Sequence, residues 1–214
     1  MDLFEFDENK RNIKNPLGLD IRAYDYIIGT DEAGRGPGAG GVWIGAVCFF
    51  KDIDKTLFKK LNDSKKLSAK TREELFEPIK ENSYYSIKVI NVETIEKINI
   101  LSASLYGMKL AVEDVITQIK SKNCLTLVDG NKLIKDFKFP QEFVIKGDSK
   151  SASISAGSIL AKVSRDRYMD EIDKTYPQYD WKSNKGYLTK KHIEAIKKFG
   201  ITEYHRPSFL KNMI

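Results

Sequence analysis

Apolar residues along this chain fall into short unbroken runs and into stripes at helical spacing. Residues 26–30 and 42–50 are near-continuous apolar runs of strand length, joined by a turn rich in Gly and Pro. Residues 67–82 predict a helix: Thr71 and Glu74 fit a capping box, and Leu75, Phe76 and Ile79 form the apolar face. Residues 84–91 read as a strand. Leu101, Leu105, Met108, Val112, Val115, Ile116 and Ile119 recur at helical spacing, which predicts an amphipathic helix over about residues 101–120. Residues 124–128 form a short buried strand ending in Asp129-Gly130, and residues 143–146 another ending in Gly147-Asp148. A helix rich in small residues follows over about 151–173. Beyond Pro177 the chain is basic, carries Trp181 and Tyr187, and forms a helix over 189–199 that stops at Gly200, a favoured residue just past a helix end. Residues 1–24 are polar, contain Pro16 and Gly18, and read as an extension. Hairpin strands followed by strands alternating with helices predict an α/β fold, a sheet layered with helices.

The chain has 214 residues, enough to bury a sizeable core. The division expected is an N-terminal extension over 1–24, a core over 25–176 and a small helical C-terminal subdomain of the same domain over 177–214. Hydrophobic content of 41% and charged content of 31% fit a soluble globular protein. The net charge of +6 fits a lysine-rich solvated surface and permits a polyanionic partner. Cys48 and Cys124 lie in apolar runs and read as buried reduced thiols, with no zinc spacing. The acidic first residues lack a signal-peptide core, and no apolar run approaches the ~20 residues of a membrane span. A cytosolic monomer is expected.

The chemistry concentrates at the ends of the apolar runs. Asp31-Glu32 closes the run over 26–30, and Gly34-Arg35-Gly36-Pro37 follows. Adjacent strand residues point to opposite faces, so both acids can serve one site only where the strand ends and the backbone turns. With Asp129 and Asp148, three strand ends carry four carboxylates, and open α/β sheets place ligands at strand ends. Converging carboxylates repel unless cations neutralise them. Mg²⁺ suits such a set, and two ions ~4 Å apart can clamp the oxygens of a phosphoryl displacement. Taken singly, each acid could be a cap or a turn former. Gly36-Pro37-Gly38-Ala39-Gly40-Gly41 matches the dinucleotide pattern G-x-G-x-x-G, but it leads into strand material rather than a helix, which argues against that use.

Further segments resemble a known family in order. Asp31-Glu32-Ala33-Gly34-Arg35-Gly36-Pro37 resembles the signature of type 2 ribonucleases H, most closely ribonuclease HII. Asn62-Asp63-Ser64-Lys65-Lys66-Leu67-Ser68, Val128-Asp129-Gly130 and Lys146-Gly147-Asp148-Ser149-Lys150 agree with it. So do Ser158-Ile159-Leu160-Ala161-Lys162-Val163, Gly186-Tyr187-Leu188-Thr189-Lys190-Lys191-His192 and His205-Arg206-Pro207-Ser208-Phe209. The resemblance covers roughly residues 26–210. It implies a ribonuclease H-like mixed sheet flanked by helices. It also implies cleavage of the RNA strand of RNA–DNA hybrids and of single ribonucleotides embedded in DNA. Asp31, Glu32, Asp129 and Asp148 would then be catalytic acids binding Mg²⁺ or Mn²⁺. Gly34, Arg35 and Gly36 would line the ribose 2′-hydroxyl, and Tyr187 would stack near the sugar at the RNA–DNA junction. Gly38 and Gly41 depart from the family, which more often has a bulkier residue and a proline there. Residues 1–24 are too few for the extra domain of ribonucleases HIII.

Ser64 and Lys65 sit in a loop where phosphate contact and plain solvation are both open. Read from the residues alone, Tyr187 packs the C-terminal helix; the resemblance favours a sugar contact. His192, His205 and Trp181 read as structural. Lys190, Lys191, Lys197 and Lys198 form a solvated face that also draws in phosphate. The reading that results is a metal-dependent endonuclease on RNA–DNA hybrid and ribonucleotide-containing DNA. Its rivals are a four-carboxylate exonuclease and a binder without catalysis. The glycine-flanked Arg35 argues against the first, and acids facing phosphate argue against the second.

Overall fold

The computed structural model describes residues 2–14 and 20–211. Its elements are α1 (Leu3–Lys10), β1 (Asn12–Lys14), β2 (Asp20–Arg22), β3 (Tyr26–Ala33), β4 (Val42–Phe49), α2 (Ala69–Glu81), β5 (Ser83–Ile90), α3 (Val92–Ile98) and α4 (Ile100–Ile119). Then come β6 (Cys124–Asp129), β7 (Gln141–Val144), α5 (Ala152–Thr175), α6 (Trp181–Asn184), α7 (Lys190–Phe199) and α8 (Pro207–Leu210). Five strands form one mixed sheet in the order β5-β4-β3-β6-β7. β3, β4 and β5 pair antiparallel, whereas β6 and β7 join β3 in parallel. This is the expected mixed sheet flanked by helices.

Strand periodicity divides the core between two faces. Ile44, Ala46 and Cys48 of β4 pack in a cluster with Met108, Val112 and Val115 of α4. Val47 and Phe49 pack on the other face with Leu75, Phe76 and Ile79 of α2 and Ala156, Ile159 and Leu160 of α5. A strand covered on both faces reads as an unbroken apolar run, which explains the pattern over 42–50. The small residues of α5 have an equally direct cause. A Cβ on Gly45 would lie 2.0 Å from the Gly157 carbonyl oxygen, so helix and strand touch backbone to backbone. Only glycine on the strand and small residues on the helix permit that approach.

Four local expectations differ from the structure. The cap of α2 is Ser68, whose Oγ accepts from the Thr71 amide at 3.0 Å, so the helix begins earlier than a Thr71 cap allows. Thr71 supplies the capped N–H, and Glu74 pairs with Lys60 instead. β3 does not stop at Thr30 but runs to Ala33, because β4 keeps pairing through Ala33↔Trp43. β7 ends at Val144, and Asp148 sits in a separate 3-10 turn, Gly147–Ser149, rather than at the strand end. Lys146 takes a left-handed conformation, φ +56°, which breaks the strand before the turn. Leu101, placed on the apolar stripe of α4, remains exposed at its first turn.

Residues 2–14 of the expected extension are docked on the core; Pro16 and Gly18 lie outside the described residues. The Phe4 ring sits 5.1 Å from Phe49 and 6.1 Å from Phe58. Buried Asp7 accepts from the Ser153 amide at 2.8 Å and its hydroxyl at 2.7 Å, satisfying an orphan N–H of the first turn of α5. Burial raises the Asp7 carboxyl to about 6. A raised carboxyl binds more protons in the folded state, so its contribution to stability falls as pH rises from ~4 to 6 and stays lost above that. Asp7→Asn keeps an acceptor for Ser153 and removes the charge. In thermal melts, the variant is expected to gain on wild type from pH 4 to 6.5, by at most about 3 kcal/mol. A constant gap across that range would contradict the assignment.

Both cysteines are buried and free. Among the described residues no helix is long and apolar enough to cross a membrane.

Candidate active site

The parallel ladder between β3 and β6 ends at Thr30↔Val128, while β3 continues against β4. Past Thr30, β3 therefore has a neighbour on one side only. Asp31 and Glu32 occupy this half-open stretch, and Asp129, the last residue of β6, comes next after Val128. Asp148 arrives from beyond β7. The Gly147 amide donates to Asp129 Oδ1 at 2.7 Å, which ties the Asp148 turn to the end of β6. Both acids of the Asp31-Glu32 pair thus lie within a strand, where the sheet opens beside them.

The Asp129 charge reaches Asp31, Glu32 and Asp148. Burial pushes the Asp31 carboxyl well above its usual range, and the charges of Glu32 and Asp129 push it further; hydrogen bonds from Ser158 and the Glu32 amide oppose this. Burial also raises Glu32, which the Arg35 guanidinium, 3.3 Å away, counteracts. Asp148 is raised to about 6, by burial first and then by Asp129 and Asp63. Carboxylates that destabilise one another's charged forms are what a bound cation relieves. An all-oxygen donor set suits a hard divalent ion. Among the described residues no three His, Cys, Asp or Glu side chains are already closed around a common point.

Next to the acids lies a pocket of about 160 Å³ lined by Glu32, Gly34, Arg35, Gly36, Ser64, Lys65, Lys162, Arg165 and Tyr187, with Ala33. It brings together every substrate-contact residue expected from the sequence. Gly34 has φ +100°, a conformation open to glycine and strained for other residues. Ser64 is buried, and its hydroxyl shares a hydrogen bond with Ser158 Oγ at 2.8 Å. Lys65 lies close enough to lower the carboxyls of both Glu32 and Asp148. Tyr187 is 50% exposed, its ring edge beside Gly36. Lys190, Lys191, Lys197 and Lys198 are exposed on α7, as expected.

His192, His205 and Trp181 are structural. All three are buried and none lines the pocket. Trp181 Nε1 donates to His192 Nε2 at 3.0 Å, and His192 Nδ1 meets the Tyr187 carbonyl at 3.0 Å. The network therefore fixes the backbone of Tyr187. Burial lowers His205 to about 4, so both rings are neutral at pH 7.

Lys162 and Arg165 are the pocket residues that the sequence reading did not single out. Their spacing of three places both on one face of α5. That face also carries the buried Ile159, which was the available signal.

A mixed five-stranded sheet whose acids gather where its central strands part is the arrangement of a ribonuclease H-like fold. Solved structures show the same fold. Ribonuclease H2 from Pyrococcus horikoshii OT3 superposes with a TM-score of 0.70 at 23% identity, covering 88% of this chain and 96% of that one. Bst-RNase HIII, crystallised in complex with Mn²⁺, gives a TM-score of 0.66 at 15% identity, covering 88% and 70%. Residues 28–212 match the family model described as Ribonuclease HII. Ribonuclease HII of Clostridioides difficile (strain 630) is 50% identical over 204 residues, 95% of this chain and 76% of that protein. Ribonuclease HII of Pelagibacter ubique (strain HTCC1062) is 50% identical over 185 residues, 86% and 95%. The chain belongs to the ribonuclease HII family. It is a metal-dependent endoribonuclease acting on the RNA strand of RNA–DNA hybrids.

Proposed function

We propose that Asp31, Glu32, Asp129 and Asp148 hold two Mg²⁺ or Mn²⁺ ions and that the chain incises DNA 5′ of single embedded ribonucleotides as well as longer hybrids. The gathering of four carboxylates where β3 and β6 part carries this reading: the Asp129 charge bears on Asp31, Glu32 and Asp148 alike. When bound, the ions supply Lewis-acid stabilisation of the attacking and leaving oxygens. A water oxygen bonds to phosphorus as the P–O3′ bond breaks, leaving 3′-hydroxyl and 5′-phosphate ends. Gly34, Arg35 and Gly36 face the ribose, and Lys65 and Ser64, which line the same pocket, hold the phosphate backbone. Residues 25–176 carry the acids, and residues 177–214 contribute Tyr187 and the network behind it.

The test is a duplex with one embedded ribonucleotide, incubated with enzyme stripped by EDTA. No product is expected until Mg²⁺ or Mn²⁺ is added back, and then a single cut 5′ of the ribonucleotide. Product after exhaustive chelation would overturn the mechanism.

Tyr187 is assigned to the RNA–DNA junction, where its ring stacks on the deoxyribose after the ribonucleotide and its hydroxyl meets a phosphate. Tyr187→Ala is expected to lower kcat/KM on a single ribonucleotide by about 5- to 150-fold, the range of one lost stacking contact. Tyr187→Phe keeps the ring and loses less. Cleavage within a long RNA run falls by a smaller factor. Equal losses on both substrates would leave Tyr187 as a packing residue only.

A further inference from the structure

Two buried arginines hold the pocket loop; Arg165 also lines the pocket and Arg206 does not. Arg165 is 1% exposed and Arg206 is fully buried. Neither forms a salt bridge among the described residues, and burial pulls both guanidinium pKa values down. Burying a cation without an ionic partner is costly unless its donors are otherwise satisfied. Here the acceptors are carbonyls of a single loop, and the buried Arg165 Nε has no acceptor among the described residues. Arg206 donates to the carbonyls of Gly34 at 2.7 Å, Arg35 at 3.2 Å and Gly40 at 2.8 Å. Arg165 donates to Ala39 at 3.1 Å. One planar fork thus grips both ends of the loop over residues 34–41.

The grip has a directional consequence. In a planar trans peptide the C=O and the following N–H point opposite ways. Holding the Gly34 and Arg35 carbonyls on Arg206 turns the Arg35 and Gly36 amides away from it, toward the pocket that these residues line. Neither amide has a backbone acceptor among the described residues.

We propose that Arg206, backed by Arg165, is a positioning residue for ribose recognition: it aims the Arg35 and Gly36 amides, and losing its fork relaxes discrimination against deoxyribose more than it weakens duplex binding. The proposal rests on the reading that Gly34–Gly36 face the ribose. A lysine cannot substitute, because its ammonium is a point charge on a flexible stem and not a rigid fork of five donors.

The experiment compares Kd for a duplex carrying one ribonucleotide with Kd for the all-DNA duplex of the same sequence. It is run by fluorescence anisotropy with Ca²⁺, over intervals in which no product forms. Wild type is expected to prefer the ribonucleotide by about 10-fold or more, the worth of one or two hydrogen bonds. Arg206→Lys is expected to bring the ratio within about 3-fold while the all-DNA Kd changes little. If wild type shows no preference, the reading of Gly34–Gly36 fails and the proposal with it. If wild type discriminates and Arg206→Lys still does, or if both affinities fall equally, the proposal alone is overturned. Should circular dichroism show Arg206→Lys unfolded, Arg165→Lys carries the test, and an undiminished ratio there overturns the proposal.

Discussion

Asp31→Asn is expected to reduce cleavage of an embedded ribonucleotide by ~10³-fold or more, equivalent to losing about 4 kcal/mol of transition-state stabilisation. Asp31 is the most buried of the four acids, and its carboxyl is held far above its ordinary range by burial, then Glu32, then Asp129. A raised carboxyl pKa means that the charged form is disfavoured in the folded protein. Replacing it with a neutral amide of the same shape therefore removes a cost when no ion is bound. The melting temperature of Asp31→Asn in EDTA should equal or exceed that of wild type, while the gain in melting temperature on adding Mg²⁺ should shrink. Hybrid binding should survive or tighten, because one charge repelling phosphate is gone. This combination separates a lost ligand from a lost fold. Near-normal turnover in a variant with a native circular dichroism spectrum would remove Asp31 from the mechanism.

The carboxylate site was legible because its acids terminate apolar runs, and runs of that length are the strongest local signal a sheet leaves in a sequence. What they could not reveal is where each strand ends. β3 extends through Asp31 and Glu32 because β4 goes on pairing after β6 has stopped, and ladder length belongs to the partner strand. Asp148 looked like a strand terminus, but the left-handed Lys146 sets it in its own turn, a backbone choice unusual for lysine. The cap of α2 was misplaced at Thr71: Ser68 is as good a capping residue, and it is Ser68 Oγ that accepts from the Thr71 amide. Lys162, Arg165 and Arg206 were harder. A cation on a helix or in a tail reads as solvent-facing, and the tertiary fold alone buries Arg165 and Arg206 against loop carbonyls. Asp7 was hidden in the same way, since its partner Ser153 lies 146 positions away.

Removing one oxygen from the substrate is expected to have the largest effect of all. A site built around a substrate hydroxyl rejects the analogue lacking it by ~10⁴-fold or more, because its polar groups are left unpaired. Replacing the single ribonucleotide with its deoxy counterpart should therefore bring kcat/KM below detection, with the same sequence, metal and enzyme. Gly34→Ala should act on the protein side of that contact, for a reason the sequence did not offer. With Gly34 facing the ribose, as the resemblance implies, a methyl group there fills space that the sugar needs. In the structure, the added Cβ meets Arg165 Nε at 2.3 Å and Cδ at 2.7 Å, and φ is +100°. A non-glycine residue there carries about 1–3 kcal/mol of backbone strain as well. The loop must shift, and a displacement of ~1 Å in a positioning element can cost ~10²-fold in rate. Gly34→Ala should thus lose about 10²-fold in kcat/KM on the ribonucleotide substrate while remaining folded, and should still leave all-DNA duplex uncut. Cleavage of all-DNA duplex by wild type at a rate comparable to that of the ribonucleotide substrate would show that this loop does not read the sugar.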